Sequence, residues 1–232
     1  MTDGAIIVAA GSGARMGGTD KAALQINGRS ALSYSLVAFA PVVPLVVVVV
    51  AADRIAEWER MRDSESWPVR TDIVAGGAHR QDSVRQGVRA LARHGGVDVI
   101  AIHDGARPLV TTVTIRTCVE AARREGAAIV ASPVTDTIKR VVEGVIVETL
   151  DRASLWAAQT PQSFRWQLLL DAFAWADHTA HPPTTDEASL VEAYGQAVAV
   201  VRGERANIKL TEPDDLTVVR ALLQARMEHN DA

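Results

Sequence analysis

The chain has few cysteines and no long apolar run. Cys118 is the single cysteine in 232 residues, so an internal disulfide is excluded. The longest apolar run, residues 42–52, is interrupted by Pro44 and is too short to span a bilayer, which favours a buried parallel strand. The first residues contain neither a basic segment nor a cleavage signal. We therefore expect a cytoplasmic protein with no membrane partner.

The chain also lacks an excess of positive charge. Its net charge of −4 argues against a nucleic-acid partner. A hydrophobic fraction of 48% is ordinary for a globular protein with a sizeable core. Lysine is scarce, with only Lys21, Lys139 and Lys209 beside 21 arginines. Each lysine is either a position that needs a compact ammonium group or a product of chance.

Apolar runs alternate with amphipathic stretches along the chain. The predicted strands are residues 5–10, 45–51, 71–75, 97–102, 127–131 and 197–201. The predicted helices are residues 30–39, 54–62, 80–93, 113–125, 163–176, 187–194 and 212–227. This order predicts an α/β fold with a Rossmann-like, mostly parallel sheet and helices on both faces.

Residues 133–152 alternate between polar and apolar side chains around Glu143-Gly144. They predict a protruding β-hairpin arm on a single domain of residues 1–232. The exposed edges of such an arm favour a second subunit as its cover.

A glycine-rich loop, AAGSGARMGGTDK at residues 9–21, follows the first strand. Glycines let backbone amides approach phosphate oxygens, and ligands bind at the carboxyl ends of such strands. Met16 breaks the Rossmann pattern, and the flanking residues of Lys21 break the Walker pattern. The loop retains two cations, Arg15 and Lys21, that suit a triphosphate. A glycine turn with solvated cations is the alternative.

Two further polar loops follow strands, so we expect all three loops to converge on one rim of the sheet. The first contains Gly76 and Gly77 with Arg80 and Ser83, and its alternative is a tight turn that caps a helix. The second contains Asp104, Gly105 and Arg107. Asp104 suits a metal or a ribose hydroxyl and Arg107 suits a phosphate, although an Asp104–Arg107 salt bridge is the alternative. The neighbouring His103 is interpreted as a structural histidine.

Taken together, seven motifs closely resemble the bacterial 2-C-methyl-D-erythritol 4-phosphate cytidylyltransferases of the non-mevalonate isoprenoid pathway. The resemblance runs in order from about residue 5 to residue 221. The motifs are AAGSGARMGGTDK, GGAHRQDSV, IHDGARPLV, PVTDTIKR, LDRASLWAAQTPQSF, TDEASLVE and NIKLTEPDDL. The resemblance implies a nucleotidyltransferase that moves CMP from CTP to methylerythritol phosphate and releases pyrophosphate.

The resemblance also implies roles for individual residues. Catalysis would use Arg15, Lys21, Arg152 and Lys209. The nucleotide would contact Ala9, Ala10, Gly11, Ser12, Gly13, Lys21, Gly76, Gly77, Arg80, Ser83, Asp104 and Gly105. The acceptor would contact Asp104, Arg107, Thr137, Arg152, Thr160, Thr185 and Lys209. Mg²⁺ or another divalent cation would lie mainly on the triphosphate, with Asp104 nearby. The arm would pair two subunits into a homodimer and carry Thr137 and Arg152 into the partner's site.

The resemblance has departures, and other functions stay open. Asp20 stands where the family usually has proline, and Ala22 stands where it usually has glutamine. A ribitol-5-phosphate cytidylyltransferase would share the fold and the CTP site. A non-catalytic nucleotide-binding module predicts a broken cation set, whereas all four cations are present. The missing Rossmann pattern disfavours a nicotinamide-dependent oxidoreductase.

Overall fold

Seven strands form the central sheet of the computed structural model, which describes residues 2–11 and 20–230. Their bounds are β1 Gly4–Val8, β4 Leu45–Val50, β5 Arg70–Ala75, β6 Val99–Asp104, β7 Ala127–Pro133, β10 Trp156–Arg165 and β11 Ala199–Arg202. They follow the order β11-β7-β10-β6-β1-β4-β5 across the sheet. Strand β10 is antiparallel to both of its neighbours, and the other sheet pairs are parallel. The α/β fold with a mostly parallel sheet is thereby confirmed.

Seven α-helices accompany these strands in the described residues. They are α1 Ala31–Phe39, α2 Ile55–Glu65, α3 Arg80–Ala92, α4 Thr112–Glu125, α5 Trp166–Thr179, α6 Glu187–Ala193 and α7 Pro213–Asn230. In this part of the chain, no helix has the length and apolar character needed to cross a membrane.

Two apolar cores lie on opposite faces of the sheet. Side chains alternate between the faces along a strand, so Ile6 joins one core while Ala5 and Ile7 join the other. Helices α1, α2 and α4 contribute to the core around Ile7, and helices α3, α5 and α6 contribute to the core around Ile6. The continuous valine run of β4 is buried on both faces, as its sequence predicts.

Two short hairpins lie outside the central sheet. Strands β8 Lys139–Val142 and β9 Val145–Thr149 form the predicted arm, and their turn has positive φ at Glu143 and Gly144. Strands β2 Gln25–Ile26 and β3 Arg29–Ser30 form a smaller hairpin that was not predicted. Its Asn27-Gly28 turn also has positive φ at both residues, a standard hairpin signal.

The prediction of a helix over residues 163–176 was wrong at its start. Strand β10 continues to Arg165, and α5 begins at Trp166. The strand contains Pro161 and several polar residues, so its intrinsic strand preference is low. Pairing with β6 and β7 on either side overrides that preference, and the register on β7 shifts between Ala158 and Gln162. The division into a single domain with an arm stays a prediction.

Candidate active site

A cleft of about 480 Å³ opens at the carboxyl ends of the parallel strands. The chain passes from β1 to β4 and β5 on one side, and then returns to β6 on the other side of β1. Such a switch in strand order leaves a crevice between the loops of two neighbouring strands. The described lining residues are Val8, Ala9, Ala10, Gly11, Asp20, Lys21, Ala22, Gly77, Ala78, His79, Arg80, Ser83, Asp104, Ala106 and Lys209. The three polar loops predicted to converge therefore do so.

The loop after β1 contributes both backbone and charge to the cleft. Ala9, Ala10 and Gly11 line it beside Lys21. The Lys21 ammonium donates to the carbonyl of Thr211 at 2.9 Å, which connects the loop with the segment before α7. The predicted site residues Ser12, Gly13 and Arg15 lie outside the described residues.

The turn after β5 is tightly packed against the β1 loop. A Cβ added to Gly76 would lie 2.7 Å from both Ala10 Cβ and Ser83 Oγ, and one added to Gly77 would lie 2.3 Å from Asp82 Cβ. Ser83 Oγ accepts from the amide of Gly77 at 3.2 Å and is almost fully buried. Glycine is therefore needed at both positions. Ser83 fixes the turn, while its contact with a base stays a prediction.

Asp104 is the electrostatic centre of the cleft. Its carboxylate lies 2.8 Å from Lys209 Nζ, 3.4 Å from Arg80 Nη2 and 3.6 Å from Arg107 Nε. Burial opposes ionisation of this carboxyl, but the three cations outweigh burial and hold the pKa of Asp104 well below its usual value. Asp104 therefore stays charged and gathers three cations around one point.

Arg107 connects Asp104 with the segment that contains Lys209. Its Nη1 donates to the carbonyl of Asn207 at 2.7 Å, and Leu210 N donates to the carbonyl of Ala106 at 2.8 Å. The Asp104–Arg107 pair that the sequence offered as an alternative is thus present. Arg107 positions the Lys209 segment, and its contact with an acceptor stays a prediction.

Glu187 is a site residue that sequence reasoning missed. Its carboxylate is 1% exposed and is bonded to Nη1 of Arg80. Burial raises the pKa of Glu187, while the Arg80 guanidinium opposes that rise. Arg80 is consequently held between Glu187 and Asp104. The sequence pointed to Glu187 only through its place in the motif TDEASLVE. Its partner Arg80 is 107 positions away in the chain, so the sequence alone could not show the pair.

Thr160 and His103 form a buried network behind Asp104. Thr160 Oγ1 accepts from the amide of Asp104 at 3.1 Å and lies 2.9 Å from His103 Nδ1. The other ring nitrogen of His103 lies 3.2 Å from the carbonyl of Arg107 and 3.3 Å from Ser35 Oγ. Burial lowers the pKa of His103 to about 4, so the ring is neutral at pH 7. The structural interpretation of His103 is confirmed, and Thr160 is placed behind the cleft surface at 4% exposure.

Besides Arg107 and Thr160, three more predicted acceptor residues are not among the described residues that line the cleft: Thr137, Arg152 and Thr185. Thr137 and Arg152 lie in the exposed arm region, where Arg152 Nη1 donates to the carbonyl of Thr135 at 2.6 Å. Thr185 is exposed in the loop before α6. The arm also exposes large apolar side chains, with Val145 64% and Ile146 59% accessible.

The fold and the cleft together define an α/β protein of the nucleotide-binding class. The crevice at the strand-order switch has a volume typical of a small-molecule site. Its wall combines closely packed glycine backbone with clustered lysine and arginine side chains, which suits a phosphorylated ligand.

Comparison with known proteins identifies the family. The family model described as IspD, 2-C-methyl-D-erythritol 4-phosphate cytidylyltransferase, matches residues 4–225. The chain belongs to this family of nucleotidyltransferases. It is 40% identical over 229 residues to the protein of that name from Bacillus licheniformis, with 97% of each chain covered. It is 44% identical over 225 residues to the protein of that name from Syntrophotalea carbinolica, with 94% of each covered.

Solved structures agree with this assignment. The crystal structure of 2-C-methyl-D-erythritol 4-phosphate cytidylyltransferase from Thermus thermophilus is 32% identical, with a TM-score of 0.79 over 97% of this chain and 100% of that one. The 4-diphosphocytidyl-2C-methyl-D-erythritol synthase structure from Anaerococcus prevotii is 28% identical, with a TM-score of 0.82 over 96% of each chain. The sequence-based resemblance is therefore confirmed.

Proposed function

We propose that this protein transfers CMP from CTP to 2-C-methyl-D-erythritol 4-phosphate, giving 4-diphosphocytidyl-2-C-methyl-D-erythritol and pyrophosphate. Family membership over nearly the whole chain carries this proposal. The cleft supports it because Lys209, Arg80 and Arg107 surround one ionised carboxylate at the strand-order switch.

The nucleotide fits against the two glycine loops. The Gly76-Gly77 turn packs on Ala10 and Asp82 too closely for side chains, so its backbone is left to face a planar base. A narrow backbone wall favours a pyrimidine over a purine by size. Lys21, and Arg15 in the same loop, would then neutralise the triphosphate.

The reaction is an in-line displacement. An oxygen of the acceptor phosphate forms a bond to the α-phosphorus of CTP, and the bond from that phosphorus to the bridging oxygen of the leaving pyrophosphate breaks. Both reactants are anions, so the site must supply positive charge before and during attack. Lys209 is oriented by Asp104 at the cleft, where its ammonium suits the acceptor phosphate. Lys21 serves the triphosphate, and no covalent intermediate with the protein is needed.

A divalent cation belongs to the proposal as a companion of CTP. Asp20 and Asp104 are the acidic side chains among the described lining residues. In the described ranges, no group of three or more His, Cys, Asp or Glu side chains is arranged so that it could hold a metal ion. That donor set fits Mg²⁺ held mainly by phosphate oxygens, with Asp104 as a neighbouring carboxylate, rather than a dedicated protein site. The cation would neutralise the phosphate charge.

The arm extends the proposal to a cytoplasmic homodimer. The exposed valines and isoleucine of β8 and β9 favour a second subunit as their cover. Thr137 and Arg152 lie beside this arm, outside their own cleft, so they suit the cleft of the partner subunit. A cytoplasmic location is supported by the buried lone thiol of Cys118 and is checked by cell fractionation.

Pyrophosphate release from CTP, Mg²⁺ and methylerythritol phosphate tests the function. We expect release with CTP but not with ATP or GTP. We expect Lys21→Met and Lys209→Met to lower kcat/KM by about 100-fold or more, since each removes a positive charge that stabilises the anionic transition state. Arg89→Met, on the exposed side of α3, is the control that keeps normal turnover. Near-normal turnover in both lysine variants would contradict the mechanism.

A further inference from the structure

A shielded ion pair lies directly beside Lys21. The Asp20 carboxylate lies 2.7 Å from Nη1 of Arg54, with the Asp20 side chain 9% exposed. Arg54 ends a short 3₁₀ turn that follows β4, outside the glycine loop. We propose that Asp20 and Arg54 are positioning residues that hold Lys21 in place at the cleft. The proposal rests on the proposed function only in taking Lys21 as a cation that serves the substrate.

Asp20 organises the backbone that follows Lys21. Its Oδ1 accepts from the amide of Ala22 at 3.0 Å, and its carbonyl accepts from the amide of Ala23 at 3.2 Å. Ala22 is buried, and its carbonyl accepts from the amide of Leu32 at 3.0 Å. The peptide unit that contains Lys21 is therefore fastened before and after the lysine.

Arg54 is itself rigidly held. Its Nε and Nη2 donate to the two carboxylate oxygens of Glu57 at 2.9 and 2.5 Å, while Nη1 remains directed at Asp20. The planar guanidinium thus bridges two carboxylates in a fixed geometry. Because Glu57 belongs to α2, the bridge fastens the end of the glycine loop to the body of the fold.

Asp20 depends on this cation. Burial raises the pKa of Asp20, and Arg54 is the largest influence in the opposite direction. Removing Arg54 would leave a buried carboxylate without its cation, which is more costly than removing both charges. The asymmetry predicts that a neutral residue at position 20 relieves part of the damage caused by losing Arg54.

A displaced Lys21 backbone would move the ammonium that donates to Thr211. Displacements of about 1 Å at such groups cost up to about 100-fold in rate. The pair therefore acts on turnover through the position of Lys21.

A double-mutant cycle tests the coupling. We expect R54M to lower kcat/KM for CTP about tenfold, and the D20N/R54M double variant to recover severalfold, because asparagine still accepts from Ala22 N and carries no charge. R60M is the matched control on the exposed surface of α2, and R54K, which keeps the charge without the fork, should fall between R54M and wild type. The proposal would be overturned if R54M had the kcat/KM of wild type. It would also be overturned if R54M lowered kcat/KM by the same factor in the wild-type and D20N backgrounds.

Lysine labelling supplies a readout that needs no substrate. The chain has three lysines, so mass spectrometry can follow acetylation of Lys21 relative to the arm residue Lys139. We expect R54M to speed labelling of Lys21 about threefold relative to Lys139, and R60M to leave the ratio unchanged. An unchanged ratio in R54M overturns the positioning role whatever the kinetics show. If wild type releases no pyrophosphate while the ratio still rises, the proposed function fails and the positioning of Lys21 stands.

Discussion

At the scale of single residues, the cleft is organised by carboxylates as much as by cations. Asp104 orients Lys209 and Arg80, Glu187 holds Arg80 from the other side, and Asp20 pairs with Arg54. The sequence could nominate the cations because lysine is scarce and the glycine loops are visible. Apart from the local Asp104–Arg107 pair, it could not pair them with their carboxylates, because the partners come from distant segments that only the folded sheet brings together.

Glu187→Gln tests the second anchor of Arg80. Glutamine keeps a hydrogen-bond acceptor but loses the charge, so Arg80 remains paired with Asp104 alone. We expect the free energy of unfolding to fall by about 2 kcal/mol and KM for CTP to rise about tenfold with a smaller change in kcat. Glu192→Gln, on the exposed side of α6, is the matched control. Equal KM values for the two variants would remove Glu187 from the site.

His103 predicts a pH dependence of stability. Its folded pKa of about 4 lies below the ordinary value of 6.5, so the unfolded chain binds the extra proton between these pH values. Stability from this residue is therefore fully present above pH 6.5 and declines as the pH falls toward 4, by up to about 1.4 kcal/mol per pH unit.

Urea unfolding of wild type and His103→Gln between pH 7.5 and 4.5 measures that effect. We expect a flatter profile in the variant, while His178→Gln, at an exposed position, keeps the wild-type slope. NMR titration of the His103 ring in wild type is the second measurement. A ring that becomes charged near pH 6.5 would refute the buried neutral state.

At the scale of secondary-structure elements, the sequence predicted most of the sheet but not its antiparallel member. The apolar runs of β1, β4, β6 and β7 are visible as strands because parallel strands inside a sheet are buried on both faces. The shorter runs of the edge strands β5 and β11 are only partly buried. Strand β10 contains Pro161 and polar residues, and its position between β6 and β7 depends on tertiary pairing. The three polar loops were predicted to meet because the carboxyl ends of parallel strands share one edge.

The arm is the element whose exposed surface predicts assembly. Ile146 lies opposite Val141 across the hairpin, and both side chains are more than half exposed. We expect Ile146→Asp to convert a dimer into a monomer, because it buries a charge in the proposed apolar interface. Multi-angle light scattering measures the mass. Val113→Asp, at a position 72% exposed on α4, is the control that leaves the mass unchanged. A wild-type protein with the mass of one chain would contradict the arm's proposed role.

At the scale of the whole molecule, the central sheet brings the proposed nucleotide loops together within one chain, whereas the proposed acceptor residues are divided. Asp104, Arg107 and Lys209 lie at the cleft and just behind it, while Thr137 and Arg152 lie beside the arm. The sequence could predict both groups through the family resemblance. The resemblance also implied their separation, because it assigned Thr137 and Arg152 to the partner's site, whereas the residue pattern alone could not show where the arm leaves the sheet.

The central claim is the identity of the transfer reaction, and ³¹P NMR of the product tests it most directly. The protein is incubated with CTP, Mg²⁺ and either 2-C-methyl-D-erythritol 4-phosphate or ribitol 5-phosphate. We predict a new diphosphate diester and one equivalent of pyrophosphate with methylerythritol phosphate, and at most slow conversion of ribitol phosphate. A diester formed from ribitol phosphate alone would contradict the acceptor, and no diester with either compound would contradict the transferase function.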